Sequence, residues 1–462
     1  MKIKEIITIT VIIVLLYTNK FTAQCWQKLE VGDSHALAIA KDGSIWSWGN
    51  NSSGRLGIGN TISQNTPQLV SSDNDWMDVS AGLSHSLAIK SNGTLWVWGA
   101  NNSYQLGIGS SPRGEMSPVQ LGTDNNWHKV FAGFENSFAI KTDGSLWAWG
   151  RNDLGQLGNG QKEVVSTPIK IGNSNNWLQI ESGAEFFTVG LKQDGTLWTW
   201  GFNVVGQLGL GDYDDRTFPT QVGSLNNWTK IATARGTGIA LNSSGQLFYF
   251  GIKIGDNSYS YFNIPTLVNE DRNWIDVSAG LYHATALKLD NSMWGWGENN
   301  DFQLGSSVSD AFEALPVLID NSFKWNALSN GSLNSSAITN EAGIFGFGFN
   351  NHGILGNGNN ETTAIISQVI CPNILSVESS SKNQIHIYPN PAKDFFVLNN
   401  LNGFEDIKIY DIKGGLIRNC LAVNSNFSRE LNVQVSSLRN GVYFLIIKNY
   451  DGNQNTFKLI KQ

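Results

Sequence analysis

Between residues 26 and 371 one short alternation of apolar and polar positions is written seven times. In its second copy Trp76-Met77-Asp78-Val79 alternates and Ser86-Leu87-Ala88-Ile89-Lys90 follows. Asn92-Gly93 then makes a tight turn, and Leu95-Trp96-Val97-Trp98-Gly99 returns. Alternating runs of this length predict strands, and an Asn-Gly or Asp-Gly pair between two of them predicts a two-residue hairpin matched to strand twist. The turn is Asp42-Gly43, Asp143-Gly144 and Asp194-Gly195 in other copies. An Asn/Gly-rich loop with Gln105-Leu106-Gly107 or a variant comes next. A fourth run opens near a proline, as in Pro118-Val119-Gln120-Leu121, which suits an edge strand.

Aromatic columns anchor the copies. A tryptophan opens each unit: Trp26, Trp76, Trp127, Trp177, Trp228, Trp274 and Trp325. A W-x-W-G signature ends the hairpin with Trp46 and Trp48, Trp96 and Trp98, Trp147 and Trp149, Trp198 and Trp200, and Trp294 and Trp296; Phe248 and Phe250, and Phe345 and Phe347, take the other two copies. Its glycine recurs at spacings of 50, 51, 51, 50, 46 and 51 residues. All 17 tryptophans fall in these columns, so they are expected to fill interfaces between units rather than to form a platform for sugars. Four short strands in each of seven units predict an all-β chain with a seven-bladed β-propeller over 24–375. The units are 26–75, 76–126, 127–176, 177–227, 228–273, 274–324 and 325–371. A linear solenoid would need polar capping units, whereas units one and seven keep the apolar template.

The consensus A-G-x-x-H-S-x-A-I-K-x-D-G-x-L-W-x-W-G-x-N-x-x-G-Q-L-G, nearly complete over 81–107, closely resembles the regulator of chromosome condensation repeat. The resemblance implies the propeller fold and a family of binding proteins. Its nuclear member is an exchange factor for a small GTPase, a partner absent outside a bacterial cell. A secreted bacterial β-lactamase inhibitor of this fold binds protein through rim loops, which is closer in setting. A plant light receptor of the fold places tryptophan one residue after the repeat glycine. That column here reads Asp33, Leu83, Phe134, Ala184, Arg235, Leu281 and Ser332, so no tryptophan photosensor is expected. Unit five departs most, with Ile254-Gly255 in place of Gln-Leu-Gly.

Past a linker at 376–384 the repeat stops, and short alternating runs over 385–462 predict a small C-terminal β-sandwich. Tyr388-Pro389-Asn390-Pro391, Ile409-Tyr410-Asp411 with Gly414, and Leu438 with Gly441 and Tyr443 resemble, in order, the type A C-terminal sorting domain of the type IX secretion system. An ordinary adhesive sandwich is the alternative. The resemblance implies handling by the type IX machinery and a place outside, or on the surface of, a Gram-negative cell.

The other end agrees with export. Residues 1–23 read as a signal peptide: Lys2 and Lys4, an apolar stretch over 6–17, and small residues before a cut at Ala23-Gln24. An uncleaved anchor and lipid attachment at Cys25 are the alternatives. No later run approaches the ~20 apolar residues of a membrane-spanning helix, so no integral membrane segment is expected in the mature chain. Residues 24–375 carry 18 basic and 30 acidic residues, net −12, and 376–462 carry 10 and 7, net +3. A propeller this acidic repels phosphate backbones, and nucleic acid is not expected as a partner.

Cys25 precedes the first strand and Cys371 follows the last. If residues 368–370 pair with residues 26–29, the two meet at the ring seam as a disulfide; two buried thiols are the alternative in an exported chain. Cys420 is expected to be buried and inert. His35, His85 and His283 share a column three residues after the repeat glycine, with Asn136, Phe186, Thr237 and Asn334 in the other units. Histidines on separate blades do not suit a zinc site, and no nucleophile or phosphate motif appears, so neither metal nor cofactor is expected. The best binding candidates are bulky or charged residues outside the template in the loop after the first strand: Asp33, Phe134, Glu135, Glu185, Phe186, Arg235 and Tyr282. They point to a non-enzymatic exported propeller that contacts a protein or glycan. The alternative is a polysaccharide-active enzyme with its site over the central tunnel.

Overall fold

A computed structural model describes residues 25–372, apart from 110–112, 184–185, 256–259, 306–307 and 309. In the tail it describes 386–388, 392–399, 404–411, 414–422, 430–449 and 454–461. Residues 1–23, the linker 376–384, Glu185 and the Pro389-Asn390-Pro391 stretch lie outside the described residues. The chain forms two units, Met1–Ile374 and Leu375–Gln462.

Seven four-stranded antiparallel sheets build the first unit. In blade one β1 (Trp26–Val31), β2 (His35–Ala40), β3 (Ile45–Gly49) and β4 (Gln64–Leu69) pair in chain order. Each later blade repeats this order, beginning on its own unit's tryptophan. Seven sheets of one design form the propeller. The second strand of blades one to five and of blade seven is buried at every position, because it has a strand on either side and a blade against either face. The first strands line a central channel of about 620 Å³.

The first strand departs from strict alternation in a way that matters for the channel. Trp26 stands opposite Ala40 and Lys28 opposite Ile39, a β-bulge that recurs after the opening tryptophan of every unit. The extra residue reverses the two faces of the strand. Alternation alone would put Trp76 and Asp78 on one side. With the bulge Val79 joins Trp76 in the buried interface, and Asp78 turns to the channel.

Apolar clusters fill the joints between neighbouring blades. Between blades two and three, Leu87, Ile89, Leu95 and Val97 pack on Trp127, Val130 and Trp149; between three and four, Phe138, Ile140 and Leu146 pack on Trp177, Ile180 and Trp200. Burying one such indole is worth about 5 kcal/mol of transfer free energy. In four of the W-x-W pairs the second tryptophan also ties its blade to the one before it by a hydrogen bond. Trp48, Trp98, Trp149 and Trp200 donate Nε1–H to the carbonyls of Ile354, Arg55, Gln105 and Gln156, each at 2.8 Å. The first of the pair is only half-buried and donates instead to a hydroxyl of its own hairpin, as Trp96 does to Thr94 (3.0 Å).

A lysine closes over this outer tryptophan. Lys141 Nζ lies 4.6 Å from the Trp127 ring and 4.2 Å from Trp147, and it pairs with Asp124 at 2.6 Å. Lys90, Lys192 and Lys288 repeat the arrangement over their own pairs. The positive charge sits over aromatic rings, so its partial burial is compensated.

Closure of the ring differs from the sequence expectation in one respect. The last strand, Thr363–Gln368, pairs with Ile344–Gly348 of its own blade and not with β1. Each blade is a contiguous unit, so no strand is shared across the seam. Cys25 and Cys371 are nevertheless bonded, with Cα atoms 6.1 Å apart, and Trp26 N–H donates to the Ala342 carbonyl (3.2 Å).

In the tail His386–Tyr388, Phe395–Asn399 and Glu430–Gln434 form one sheet, and Leu416–Ala422, Phe404–Asp411, Gly441–Asn449 and Gln454–Lys461 another. They enclose one core that includes Phe396, Leu398, Ile407, Ile409, Leu445 and Leu459, a small β-sandwich. Cys420 is half-buried against that core as an unpaired thiol whose pKa burial raises.

Candidate functional site

The channel has three layers, set by distance from each unit's tryptophan. Two residues on stand Lys28, Asp78, Lys129, Gln179, Lys230, Asp276 and Ala327; four residues on stand Glu30, Ser80, Phe131, Glu181, Ala232, Ser278 and Ser329. Many of these side chains satisfy backbone groups of a neighbouring blade. The carboxylate of Asp78 accepts the Val130 N–H (2.9 Å), and the hydroxyl of Ser80 accepts the Ala132 N–H (2.9 Å). Ser278 serves Asn330 N–H (3.0 Å) and Ser329 serves Val31 N–H (2.8 Å) in the same manner. An inner strand is a sheet edge, and its exposed amides need such partners.

Seven residues on from the tryptophan the channel opens at a mouth built by the loops after the first strands. Here backbone bonds run from blade to blade. Asp33 N–H donates to the Gly82 carbonyl (3.3 Å) and Leu83 N–H to Gly133 (3.3 Å); Arg235 N–H donates to Leu281 (3.0 Å), Leu281 N–H to Ser332 (2.9 Å), and Ser332 N–H to Asp33 (3.4 Å). The Ser332 hydroxyl also donates to the Asp33 carboxylate across the seam.

The structure gathers the described sequence candidates at this mouth in three groups. Phe134 and Phe186 meet edge to face with ring centres 6.0 Å apart. Glu135 accepts a hydrogen bond from Arg151 at 2.7 Å, and that guanidinium lies 4.2 Å from the centre of the Phe186 ring. Arg235 donates to the Tyr282 hydroxyl (2.5 Å), and both are exposed. Asp33 forms the third group, tied to Ser332. Arg151 was not singled out from sequence; its position two residues after Trp149 marks a loop residue outside the template.

One sequence assignment moves by a residue. The partner of the histidine column in blade four is Phe187, which faces Gly201 as His35 faces Gly49. Unit four carries one extra residue before that strand, and Phe186 absorbs it with a left-handed φ of 57°. A bulky side chain rarely adopts that conformation, and the cost is about 1–2 kcal/mol.

The histidines lie behind the mouth, buried in the joints. Ser86, Ser137 and Ser335 donate to the carbonyls of Arg55 (2.7 Å), Gln105 (2.6 Å) and Gln303 (2.7 Å). Each hydroxyl therefore accepts from a histidine of the preceding blade: His35 (2.8 Å), His85 (2.9 Å) and His283 (3.0 Å) through Nε2. Burial drives His85 and His283 down to about 3 and His35 well below its usual value, so all three are neutral. Their rings explain the template glycine, since a Cβ on Gly82 would sit 2.5 Å from the His85 ring, and one on Gly280 2.3 Å from His283. Among the described residues no cluster of three or more His, Cys, Asp or Glu is arranged to hold a metal ion.

Residues 16–255 match the RCC1-like domain, and residues 274–303 match the regulator of chromosome condensation (RCC1) repeat. The chain belongs to the RCC1-like domain family. Residues 386–462 match the secretion system C-terminal sorting domain, so this propeller carries a type IX sorting tail and is an exported protein. The ultraviolet-B receptor UVR8 of Arabidopsis thaliana is 28% identical over 292 residues, 61% of this chain and 55% of the receptor. A bifunctional serine/threonine-protein kinase/NEDD4-like E3 ubiquitin-protein ligase of Dictyostelium discoideum is 35% identical over 307 residues, 59% of this chain and 16% of the ligase. The chain thus spans about half the length of the plant relative and far less of the ligase. Among solved structures, human WBSCR16 superposes with a TM-score of 0.64 at 19% identity, covering 71% of this chain and 94% of that one. Yeast RCC1 (Prp20), solved bound to Kap60, gives 0.63 at 18% identity, covering 79% and 88%. Those two likenesses establish the propeller fold.

Proposed function

We propose that this RCC1-like propeller is a non-enzymatic interaction module, exported by the type IX route, that grips a protein or glycan partner with its channel-mouth loops. The observation that carries the reading is the mouth itself. Phe134, Phe186 and Arg151 on one side, and Arg235 and Tyr282 on the other, are aromatic and arginine side chains that the repeat does not require for folding. Such residues dominate binding hot spots. Asp33, Glu135 and Glu185 complete the candidate set. In this reading residues 1–23 are removed at Ala23-Gln24, 24–375 form the binding body, and the tail over 385–462 addresses the chain to the cell surface or the medium.

The polysaccharide-active alternative draws less support from the channel. A glycosidase needs two available carboxyl groups. Asp78 and Glu30 share Lys28, and Asp276 lies 3.2 Å from Lys230, so among the described carboxylates of the channel Glu181 is joined only by Asp33, bonded to Ser332 at the mouth, in lacking a lysine partner. The test is capture of surface protein and polysaccharide fractions on the mature chain. One species should be retained by the native protein and lost from Phe134→Ala and Arg235→Ala variants that melt normally. A native chain that retains nothing, or variants that retain the same species, would reject the mouth as the binding surface.

A further inference from the structure

Below the mouth the channel holds an electrostatic imbalance that neither the repeat nor the mouth reading accounts for. Four carboxylates face three ammonium groups. Lys28 joins Asp78 and Glu30, and Lys230 joins Asp276. Lys129 spends its Nζ on the Leu178 carbonyl at 3.0 Å. Glu181 is left with the Gln179 amide, which donates to its Oε1 at 2.9 Å and is itself anchored to the Ile231 carbonyl at 3.1 Å. The carboxylate is thus held in place with no ion pair of its own, while Lys230 and Lys28 act on it only from beyond salt-bridge distance.

Its surroundings suit one kind of guest. Glu30 occupies the same layer on blade one, across the ring from blade four, and the two carboxylates repel one another. Phe131 stands in that layer on the adjoining blade three, and Phe134 stands above it at the mouth. Carboxylate together with aromatic rings, in a polar cavity of about 620 Å³ open to solvent, is how proteins recognise organic cations. The net charge of −12 over the propeller draws such a guest in. We propose that the channel is a receptor for one organic cation, an ammonium or guanidinium group, bound by the Glu181 carboxylate with Glu30 as second counter-charge and Phe131 and Phe134 flanking its approach. The inference goes beyond the mouth reading and stands whether or not a macromolecule covers the mouth.

Protonation couples to this site. Burial pushes Glu181 up to about 7 despite the Gln179 hydrogen bond; Glu30 adds to the rise, while Lys230 and Lys28 oppose it. Asp33, Asp78, Asp276 and Lys129 complete the charged groups lining the channel. A bound cation favours ionised Glu181, so affinity rises with pH through 7.

The test titrates the full mature chain with butylammonium and agmatine as free cations, with a lysine-bearing pentapeptide blocked at both ends, and with 1-butanol as uncharged isostere. A cation should bind with Kd below about 10 mM, and butanol at least about tenfold more weakly. Glu181→Gln should lose at least about tenfold in affinity with an unchanged melting temperature, while Glu163→Gln, in an exposed loop, should not. Tighter binding of the peptide assigns the guest to a partner's side chain, and tighter binding of the free cations to a small amine; both support the receptor. No cation bound by the native chain, or equal affinity in Glu181→Gln, overturns it. Should that variant fail to fold, carboxyl-resolved NMR of the native chain decides. Saturating agmatine must lower the Glu181 titration midpoint, and an unmoved midpoint overturns the proposal. Loss of the mouth partner with agmatine binding intact would reject the mouth reading alone.

Discussion

His85 of blade two places its Nε2 2.9 Å from the hydroxyl of Ser137 in blade three, and that hydroxyl passes its own proton to the Gln105 carbonyl. The chain of bonds crosses a blade joint where burial, joined by the charge of Arg55, disfavours a protonated imidazole. His35 and His283 make the same crossing at two other joints.

Acid should therefore open the ring. In the unfolded chain these histidines titrate near 6.5, whereas in the native chain His85 and His283 stay neutral down to about 3 and His35 is also strongly depressed. Between those limits the unfolded state binds more protons, so stability is full above 6.5 and falls as pH drops from there toward 3. Urea unfolding from pH 7.5 to 5 should show a slope approaching two protons, three taken up by the histidines of the unfolded chain less the one that native Glu181 takes up below about 7. His85→Asn, which copies Asn136 of blade three, should fold and lower that slope by about one. A flat profile above pH 5 would contradict the prediction.

Arg55 takes the place held by Gln105, Gln156, Gln207 and Gln303 in other units, and it is buried with 5% of its surface exposed. Its guanidinium donates to Ser34 (2.9 Å) and to the Leu83 carbonyl (2.8 Å), its Nε has no partner, and burial lowers its pKa against the pull of Asp33. Restoring the template with Arg55→Gln should leave unfolding free energy within about 1 kcal/mol or raise it, while Arg55→Ala should cost about 3 kcal/mol. Equal losses in urea would show that the charge itself is needed.

The Cys25–Cys371 disulfide spans 346 positions of sequence. Because the blades share no strand across the seam, the bridge supplies the covalent closure. Chain entropy gives it about 5 kcal/mol, so Cys371→Ser or full reduction should move the denaturation midpoint far down. A shift equivalent to under about 1 kcal/mol would mean that side-chain packing alone closes the ring.

Phe186 combines a left-handed backbone with a half-buried aromatic contact. Phe186→Gly should relieve about 1 kcal/mol of strain and leave melting unchanged or raised, while weakening whatever binds the mouth. A lower melting temperature would show that the contacts with Phe134 and Arg151 outweigh the strain.

Much of the architecture was legible because it is periodic. The tryptophan columns, the Asp-Gly turns and the closing proline strands repeat at nearly constant spacing, and seven copies of one four-stranded sheet have few ways to bury both faces. The tail was legible through its alternating runs and ordered motifs. The clustering of candidates at one mouth followed from their shared place after the repeat glycine. Other features could not be read from residue order. One extra residue in unit four hid the equivalence of Phe187 to the histidines, because a single insertion can be taken up anywhere in a loop. Lys90, Lys141, Lys192 and Lys288 read as strand ends, and only the fold brings them over two tryptophans each.

The sequence by itself determined the number of blades, the order of their strands, the filling of their joints by aromatic rings and the export signal at the C-terminus, since local alternation and repetition encode all four. Tertiary structure alone decided which side of each inner strand faces the channel. Trp177 and Glu181 look alike in phase along the chain, but the bulge after every opening tryptophan turns one into the joint and the other into the lumen. A bulge is settled by pairing with the neighbouring strand, and the unpaired Glu181 carboxylate exists only once seven inner strands stand in a circle.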